Sequence, residues 1–221
     1  MTFTDELEPI ARPIWDAIVD HPMVTQLGKG TLDVKPFRYW VRQDYVYLQE
    51  YSRVFALGAS KAPDLERMTT FAELLESTLT TEMELHRDYA ASFDIDESEL
   101  AATEPSPTTQ AYTDFLVRTA ATGEFGELVA ALLPCMWGFH ETATRLAERG
   151  SPEDDRYADW IEMYTGEEFA ELTRWTKDLM DTVAADATET QRNRYVDLFR
   201  TSARYEYRFW DAAWREEEWS V

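Results

Sequence analysis

The chain has 221 residues, enough for one large domain with a proper core. Hydrophobic residues make up 44% of it and aromatics 14%, which excludes disorder as the default state. Its 43 acidic and 21 basic residues give a formal net charge of -22, which excludes nucleic acid and anionic membrane as ready partners, because phosphate would meet a negative field. The acidic residues are dispersed, as in Glu73, Glu76, Glu82 and Glu84, and the lysines are only Lys29, Lys35, Lys61 and Lys177. Scattered acid with little lysine predicts a protein of a salt-loaded cytoplasm, where ions screen the self-repulsion. The single cysteine, Cys135, rules out an intrachain disulfide and fits a reducing, cytoplasmic setting. No apolar run approaches the ~20 residues of a membrane span. The opening Met1-Thr-Phe-Thr-Asp-Glu lacks the basic and apolar regions of a signal peptide.

Apolar residues recur at three and four throughout, the helical period. A first helix is expected over Ile10–Asp20, after Pro9, with His21-Pro22 as its break and Gly28-Lys29-Gly30 as a turn. Lys35–Ser60 reads as a long helix, capped by Asp33 with Pro36 in its first turn. Pro63–Ala91 reads as another, followed by a loop over Ser92–Pro107 with a short turn around Glu97–Ala101. Helices follow at Thr108–Thr122, Glu124–Arg149, Pro152–Tyr164, Gly166–Ala185 and Thr188–Glu218, with Gly123 and Gly150 as breaks. Sustained alternation of β-branched residues is missing, so an all-α multi-helix bundle is expected, as one domain over 1–221.

Three segments carry residue types suited to chemistry. Cys135 lies in Leu132-Leu133-Pro134-Cys135-Met136-Trp137. Free cysteines mostly just pack, but a thiolate with a proton-accepting neighbour is a nucleophile. Pro134 lacks an N–H and would bend the helix one residue before the sulfur, which frames a pocket or is an ordinary bend. Asp44, Tyr47 and Tyr51 share one helical face, a carboxylate beside phenols that can read a ring bearing an amino group and a basic nitrogen. A solvated Asp beside half-buried tyrosines fits the same spacing. Glu206 has Tyr205 and Tyr207 beside it and Phe209 and Trp210 three and four positions on. Enclosure by aromatics makes a carboxylate costly to ionise and suits a proton donor, whereas pairing with Arg204 or Arg208 would make it a surface residue.

Taken in order, Gln43-Asp44-Tyr45-Val46-Tyr47-Leu48, Leu133-Pro134-Cys135-Met136-Trp137 and Tyr205-Glu206-Tyr207-Arg208-Phe209-Trp210 resemble the thiaminase II (TenA) family. Trp160-Ile161-Glu162-Met163-Tyr164 with Glu167-Glu168-Phe169 adds to the resemblance, as does the opening His21-Pro22 with Gly28-Lys29-Gly30-Thr31-Leu32. Each motif is weak alone, but the ordered set spans nearly the whole chain. The resemblance implies the all-helical haem oxygenase-like fold, a homotetramer, no cofactor and no metal. It implies hydrolysis of 4-amino-5-aminomethyl-2-methylpyrimidine to its hydroxymethyl counterpart in thiamine salvage, and cleavage of thiamine by the same chemistry. It makes Cys135 the nucleophile, Glu206 the acid at a ring nitrogen and Asp44 the carboxylate on the amino side of the ring. Tyr47 and Tyr112 become phenols near the sulfur, and Tyr164 a phenol of the pocket wall. Phe139 departs from the family, which commonly has a tyrosine there.

Other readings fit less well. Haem oxygenase needs an axial histidine, and His21 is explained by its His-Pro turn. A di-iron carboxylate bundle wants Glu-x-x-His, but Ile18, Met83 and Trp137 precede His21, His86 and His140 by three. A pyrroloquinoline-quinone-type oxidase shares the fold but does not call for this cysteine with these two carboxylates. The non-enzyme alternative is a regulatory or binding module that holds an aminopyrimidine without cleaving it.

Overall fold

Thr2 starts the first helix with a capping box: its hydroxyl accepts from the Asp5 N–H, and the Asp5 carboxylate accepts from the Thr2 N–H. The computed structural model describes residues 1–220. In chain order the helices are α1 (Phe3–Val19), α2 (Pro22–Gly28), α3 (Val34–Lys61), α4 (Leu65–Ser77), α5 (Met83–Ala91), α6 (Glu97–Ala101), α7 (Pro107–Thr122), α8 (Phe125–Glu148), α9 (Asp155–Thr165), α10 (Glu167–Ala185) and α11 (Glu189–Arg215). A π-helical turn, Thr78–Glu82, joins α4 to α5. The described residues contain no strand, so the all-α expectation holds, and no helix among them is long and apolar enough to cross a membrane.

Several boundaries differ from expectation. Helix α1 begins at Phe3, not after Pro9, and carries Pro9 and Pro13 inside it. The capping box nucleates the helix ahead of the prolines, which cost N–H donors and do not end it. Between the expected breaks at His21-Pro22 and Gly28-Lys29-Gly30 lies α2, with His21 as N-cap and Pro22 in its first turn. Gly30 does turn the chain, at φ 68, in the left-handed region that favours glycine. The helix expected over Pro63–Ala91 starts after Asp64, whose carboxylate caps Arg67, and is widened by the π turn.

The last helix stops at Arg215, short of Glu218, with Glu216 at φ 49. The tail after it is held by side chains. Lys35 pairs with Glu216 at 2.8 Å, the Tyr39 hydroxyl donates to the Glu217 carbonyl at 2.6 Å, and the Glu217 carboxylate accepts from the Thr108 N–H at 2.8 Å. These bonds replace those that further helical turns would have made.

The chain forms two compact units. The first takes Met1–Leu32 with Val129–Asp211, and the second takes Asp33–Leu128 with the chain from Ala212. In the first, α1 packs on α10, and α2 on α9. Helix α8 meets both α1 and α10: the Trp15 ring of α1 lies tilted against Trp137, with ring centroids 4.9 Å apart, and Thr173 and Thr176 of α10 reach Met136. Gly138 lets α1 in, since a Cβ there would stand 3.2 Å from the Trp15 indole nitrogen. In the second unit α3 is the axis and packs against α4, α5 and α7. Gly58 meets the Phe71 ring so closely that any larger side chain would collide with it.

Candidate active site

The first unit holds Cys135, Phe139, Tyr164 and Glu206. Helix α8 is apolar around Pro134 and is buried almost all round. From Leu128 to Phe139, Cys135 is the one residue that keeps solvent access while all its neighbours are buried. A cysteine that only packs is expected to be as buried as Leu133 or Met136 beside it. Partial exposure at a single position within a buried run is instead what a reactive thiol requires.

Helix α11 brings Glu206 to the level of this sulfur. Ala131, Cys135 and Phe139 follow one another at four-residue intervals along α8, as do Ser202, Glu206 and Trp210 along α11. The two rows are joined at both ends. The buried Ser202 hydroxyl donates to the Ala131 carbonyl at 2.7 Å, and the Trp210 ring lies 5.8 Å from the Phe139 ring. Each row climbs about 6 Å per step, so the middle residues, Glu206 and Cys135, stand at the same height on facing helices. Glu206 is 4% exposed, whereas Arg204 and Arg208 lie at the surface. A carboxyl group held at this level is placed for proton transfer to a ring bound beside the sulfur.

Phe139 marks one end of these rows and opens an aromatic cluster. Its ring lies 5.0 Å from Tyr164 and 6.1 Å from Trp160, and Trp160 lies 4.8 Å from Tyr164 and 5.6 Å from Trp210. Tyr164 stays half-buried at the end of α9, where the His140 ring donates to its carbonyl at 2.9 Å. Such rings offer flat faces to a planar heteroaromatic molecule. Trp160, which stands in the motif that ends at Tyr164, proves part of the cluster, whereas His140 has no spacing that would single it out in the sequence. Both act through α8–α9 packing.

The second unit holds Asp44, Tyr47 and Tyr112. Asp44 is 7% exposed, and Tyr47 and Tyr51 are buried with it, so the face of α3 that carries them is interior and not solvated. Tyr47 stacks on Tyr51 at 5.2 Å and lies 5.2 Å from Tyr112 of α7. Gln43, which was not singled out in the sequence, fixes the start of α7. Its amide accepts from the Ser106 N–H at 2.9 Å and donates to the Glu104 carbonyl at 3.0 Å, and Ser106 then caps the helix that carries Tyr112.

His86 is the other residue missed. It lies buried on α5, with Nδ1 3.6 Å from Asp44 Oδ2 and Nε2 2.8 Å from the Val41 carbonyl. Burial pushes this imidazole below its usual range, a shift that the bond to Val41 opposes and nearby Arg87 reinforces. His21, the one histidine considered for haem, is spent locally: its Nδ1 accepts from the Met23 N–H at 3.2 Å and its Nε2 faces Asp211 at 3.5 Å.

The sequence has relatives that match it nearly from end to end. A family model described as the TENA/THI-4/PQQC family matches residues 8–216. The chain belongs to that family. A TENA/THI-4/PQQC relative from Halalkalibacterium halodurans, named aminopyrimidine aminohydrolase, is 39% identical over 221 residues, covering 100% of this chain and 99% of its own. The solved TenA homologue from P. horikoshii OT3 superimposes with a TM-score of 0.90 at 31% identity, over 97% of this chain and 99% of that one. A structure from Shewanella denitrificans OS217, described as a domain with a haem oxygenase-like fold, matches with a TM-score of 0.75 at 14% identity, over 96% and 92%. The TENA/THI-4/PQQC fold expected from the sequence, all-α and haem oxygenase-like, is therefore the fold of this chain.

Proposed function

We propose that the protein is an aminopyrimidine aminohydrolase of the cysteine-dependent thiaminase II type. It hydrolyses 4-amino-5-aminomethyl-2-methylpyrimidine to the hydroxymethyl compound with release of ammonia, and splits thiamine by the same route. The observation that carries this reading is Cys135, the one partly exposed residue in a buried stretch of α8, level with the buried Glu206 of α11. The full-length relative from Halalkalibacterium halodurans, named for this activity, supports it.

The Cys135 thiolate adds to a carbon of the pyrimidine ring while Glu206 protonates a ring nitrogen. The aminomethyl nitrogen is an ammonium group at neutral pH. The electron pair placed on the ring therefore breaks the bond to the exocyclic methylene, and the nitrogen leaves as neutral ammonia. That ammonia then takes up the proton that the incoming water releases. Water adds to that carbon and loses a proton, Glu206 takes its proton back from the ring, and the carbon–sulfur bond breaks to restore the aromatic ring and the thiolate. Phe139 and Tyr164 supply flat faces for the ring. Asp44 binds the amino side of the pyrimidine, and Tyr47 and Tyr112 position the reactants with their phenols.

The reading treats 1–221 as one catalytic domain, and the family match over 8–216 supports it. It extends to a homotetramer, which the family resemblance implies, and to a salt-rich cytoplasm, for which the net charge of -22 is the support. Incubation of the purified protein, in molar salt, with the aminomethyl pyrimidine and with thiamine tests it. Release of ammonia and hydroxymethyl pyrimidine is the expected result. Saturable binding without either product would favour a non-catalytic aminopyrimidine-binding protein instead.

A further inference from the structure

Helix α7 has N–H donors in its first turn that must find partners outside the helical ladder. Pro107 has no N–H, the Thr109 N–H goes to the Ser106 hydroxyl at 3.2 Å, and the Gln110 N–H goes to the Ser106 carbonyl at 2.8 Å. Nothing local serves the Thr108 N–H. Thr108 is 4% exposed, so water is a poor substitute, and a buried donor left without an acceptor is costly. Its acceptor, at 2.8 Å, is the Glu217 carboxylate, 109 residues further along the chain. A carboxylate there also meets the positive end of a 16-residue helix.

The loop ahead of α7 is gripped in the same way. Gln43 of α3 holds the Ser106 N–H and the Glu104 carbonyl, and the Trp219 indole N–H donates to the Pro105 carbonyl at 3.0 Å. The tail that supplies Glu217 and Trp219 is itself fixed. The Glu216 and Glu217 N–H groups close α11 with bonds back to the Ala213 and Ala212 carbonyls, and Glu216 takes the left-handed φ that such a turn requires. The Tyr39 hydroxyl of α3 then donates to the Glu217 carbonyl at 2.6 Å. Burial pushes that phenol up to about 12, so it remains a donor throughout the neutral range. Helix α3 and the tail therefore hold the entry of α7 together.

We propose that Glu217 is a positioning residue for Tyr112, and that the tail after α11 is a strap which sets where the Tyr112 phenol stands against Tyr47. Tyr112 lies one helical turn beyond Thr108, is 1% exposed, and has its ring 5.2 Å from that of Tyr47 on α3. Release of Thr108 frees the first turn of α7 to shift against α3, and the phenol shifts with it. For a group that positions reactants, a displacement of about 1 Å is enough to slow the reaction.

The inference rests on the aminopyrimidine reading for its consequence, so one arm of the test needs no substrate. NMR on the free protein compares the wild type with Glu217→Ala and Glu217→Gln. Loss of the acceptor should speed amide exchange at Thr108 about ten-fold and move the Tyr112 ring signals, which the Tyr47 ring beside them shifts. Glu217→Gln keeps an oxygen that can accept, and should stay close to the wild type in both. Unchanged exchange or unmoved ring signals in Glu217→Ala overturn the strap, whether or not the protein is an enzyme. The second arm measures turnover of the aminomethyl pyrimidine. Glu217→Ala should lower kcat/KM about ten-fold, and Glu217→Gln should restore most of it. In a Tyr112→Phe background the same Glu217→Ala change should cost no more than about two-fold, because the phenol through which Glu217 acts is gone. An equal loss in both backgrounds overturns the positioning role and marks the tail as a structural clip. So does a Glu217→Ala protein with wild-type kcat/KM.

Discussion

The Trp210 ring of α11 lies 5.8 Å from the Phe139 ring of α8, one helical turn beyond Glu206 and Cys135 respectively. With Ser202 bonded to Ala131 a turn on the other side of both, the acid and the thiol are bracketed above and below by fixed contacts. Neither side chain can drift along its helix without breaking a buried hydrogen bond or an aromatic contact. Proton donation and nucleophilic attack depend on such fixed geometry, because a displacement of about 1 Å is enough to cost on the order of a hundred-fold in rate.

Cys135→Ser is expected to abolish turnover while leaving the helical content intact. The serine hydroxyl is close in size to the thiol but a far weaker nucleophile at neutral pH. No other thiol exists in the chain to take over. Ammonia release and circular dichroism on the same sample check both halves, and near-wild-type turnover would remove Cys135 from the mechanism.

Glu206→Gln should lower kcat far more than it weakens pyrimidine binding, and Asp44→Asn should do the opposite. The glutamine amide keeps the shape of the buried side chain but cannot donate an acidic proton, a loss felt in the transition state. The asparagine disturbs recognition of the amino side of the ring before any bond is made. Binding titrations beside steady-state kinetics separate the two, and the reverse ranking would mean that the roles are exchanged.

Much of this fold is legible in the sequence, and the exceptions share a cause. Asp33 as a cap, Gly30 as a turn and the short helix at Glu97–Ala101 are local signals and appear where expected. The early start of α1 depends on the Thr2–Asp5 capping box ahead of Pro9, and the π turn on how the α4–α5 segment packs over α3. The candidate site divides the same way. Asp44 with Tyr47, and Glu206 with its aromatics, are neighbours along one helix and can be read from spacing. Whether they face solvent cannot, and burial decides that Asp44 and Glu206 are interior. His86 sits on a different helix from Asp44, and no period links the two positions. The alignment of Glu206 with Cys135 depends on a Ser202–Ala131 bond spanning 71 residues of chain.

Phe139→Tyr is expected to tighten aminopyrimidine binding without harming the fold. The Phe139 ring already lies among Tyr164, Trp160 and Trp210, so the added hydroxyl enters a wall of the cluster rather than open solvent. A well-formed hydrogen bond to the pyrimidine contributes on the order of 1 kcal/mol net, roughly five-fold in affinity. Calorimetric titration of the variant and the wild type decides this. Unchanged or weaker affinity, with or without a drop in melting temperature, would show that the hydroxyl does not reach the substrate.

The last prediction concerns salt. With 43 acidic and 21 basic residues, the folded chain concentrates a charge of -22, and assembly of copies concentrates it further. At about 0.01 M salt the screening length is ~30 Å, so charges repel across a whole subunit, whereas near 1 M it falls to ~3 Å and only immediate neighbours interact. Some of the acid is committed to ion pairs: Arg145 bridges Asp16 and Glu141, and Arg192 meets Glu6. Cations are too few to neutralise the rest, so removal of salt is expected to weaken both the fold and any tetramer. The buried carboxylates, Asp44 and Glu206, are poorly screened at any ionic strength and should respond little. Activity is therefore expected to fall on desalting together with mass or melting temperature, not ahead of them. Light scattering, thermal melts and turnover measured from molar down to millimolar salt separate the cases. Equal mass, stability and activity at both ends would refute salt adaptation and leave the chemistry untouched, while activity lost from an intact assembly would place the salt dependence in the active site itself.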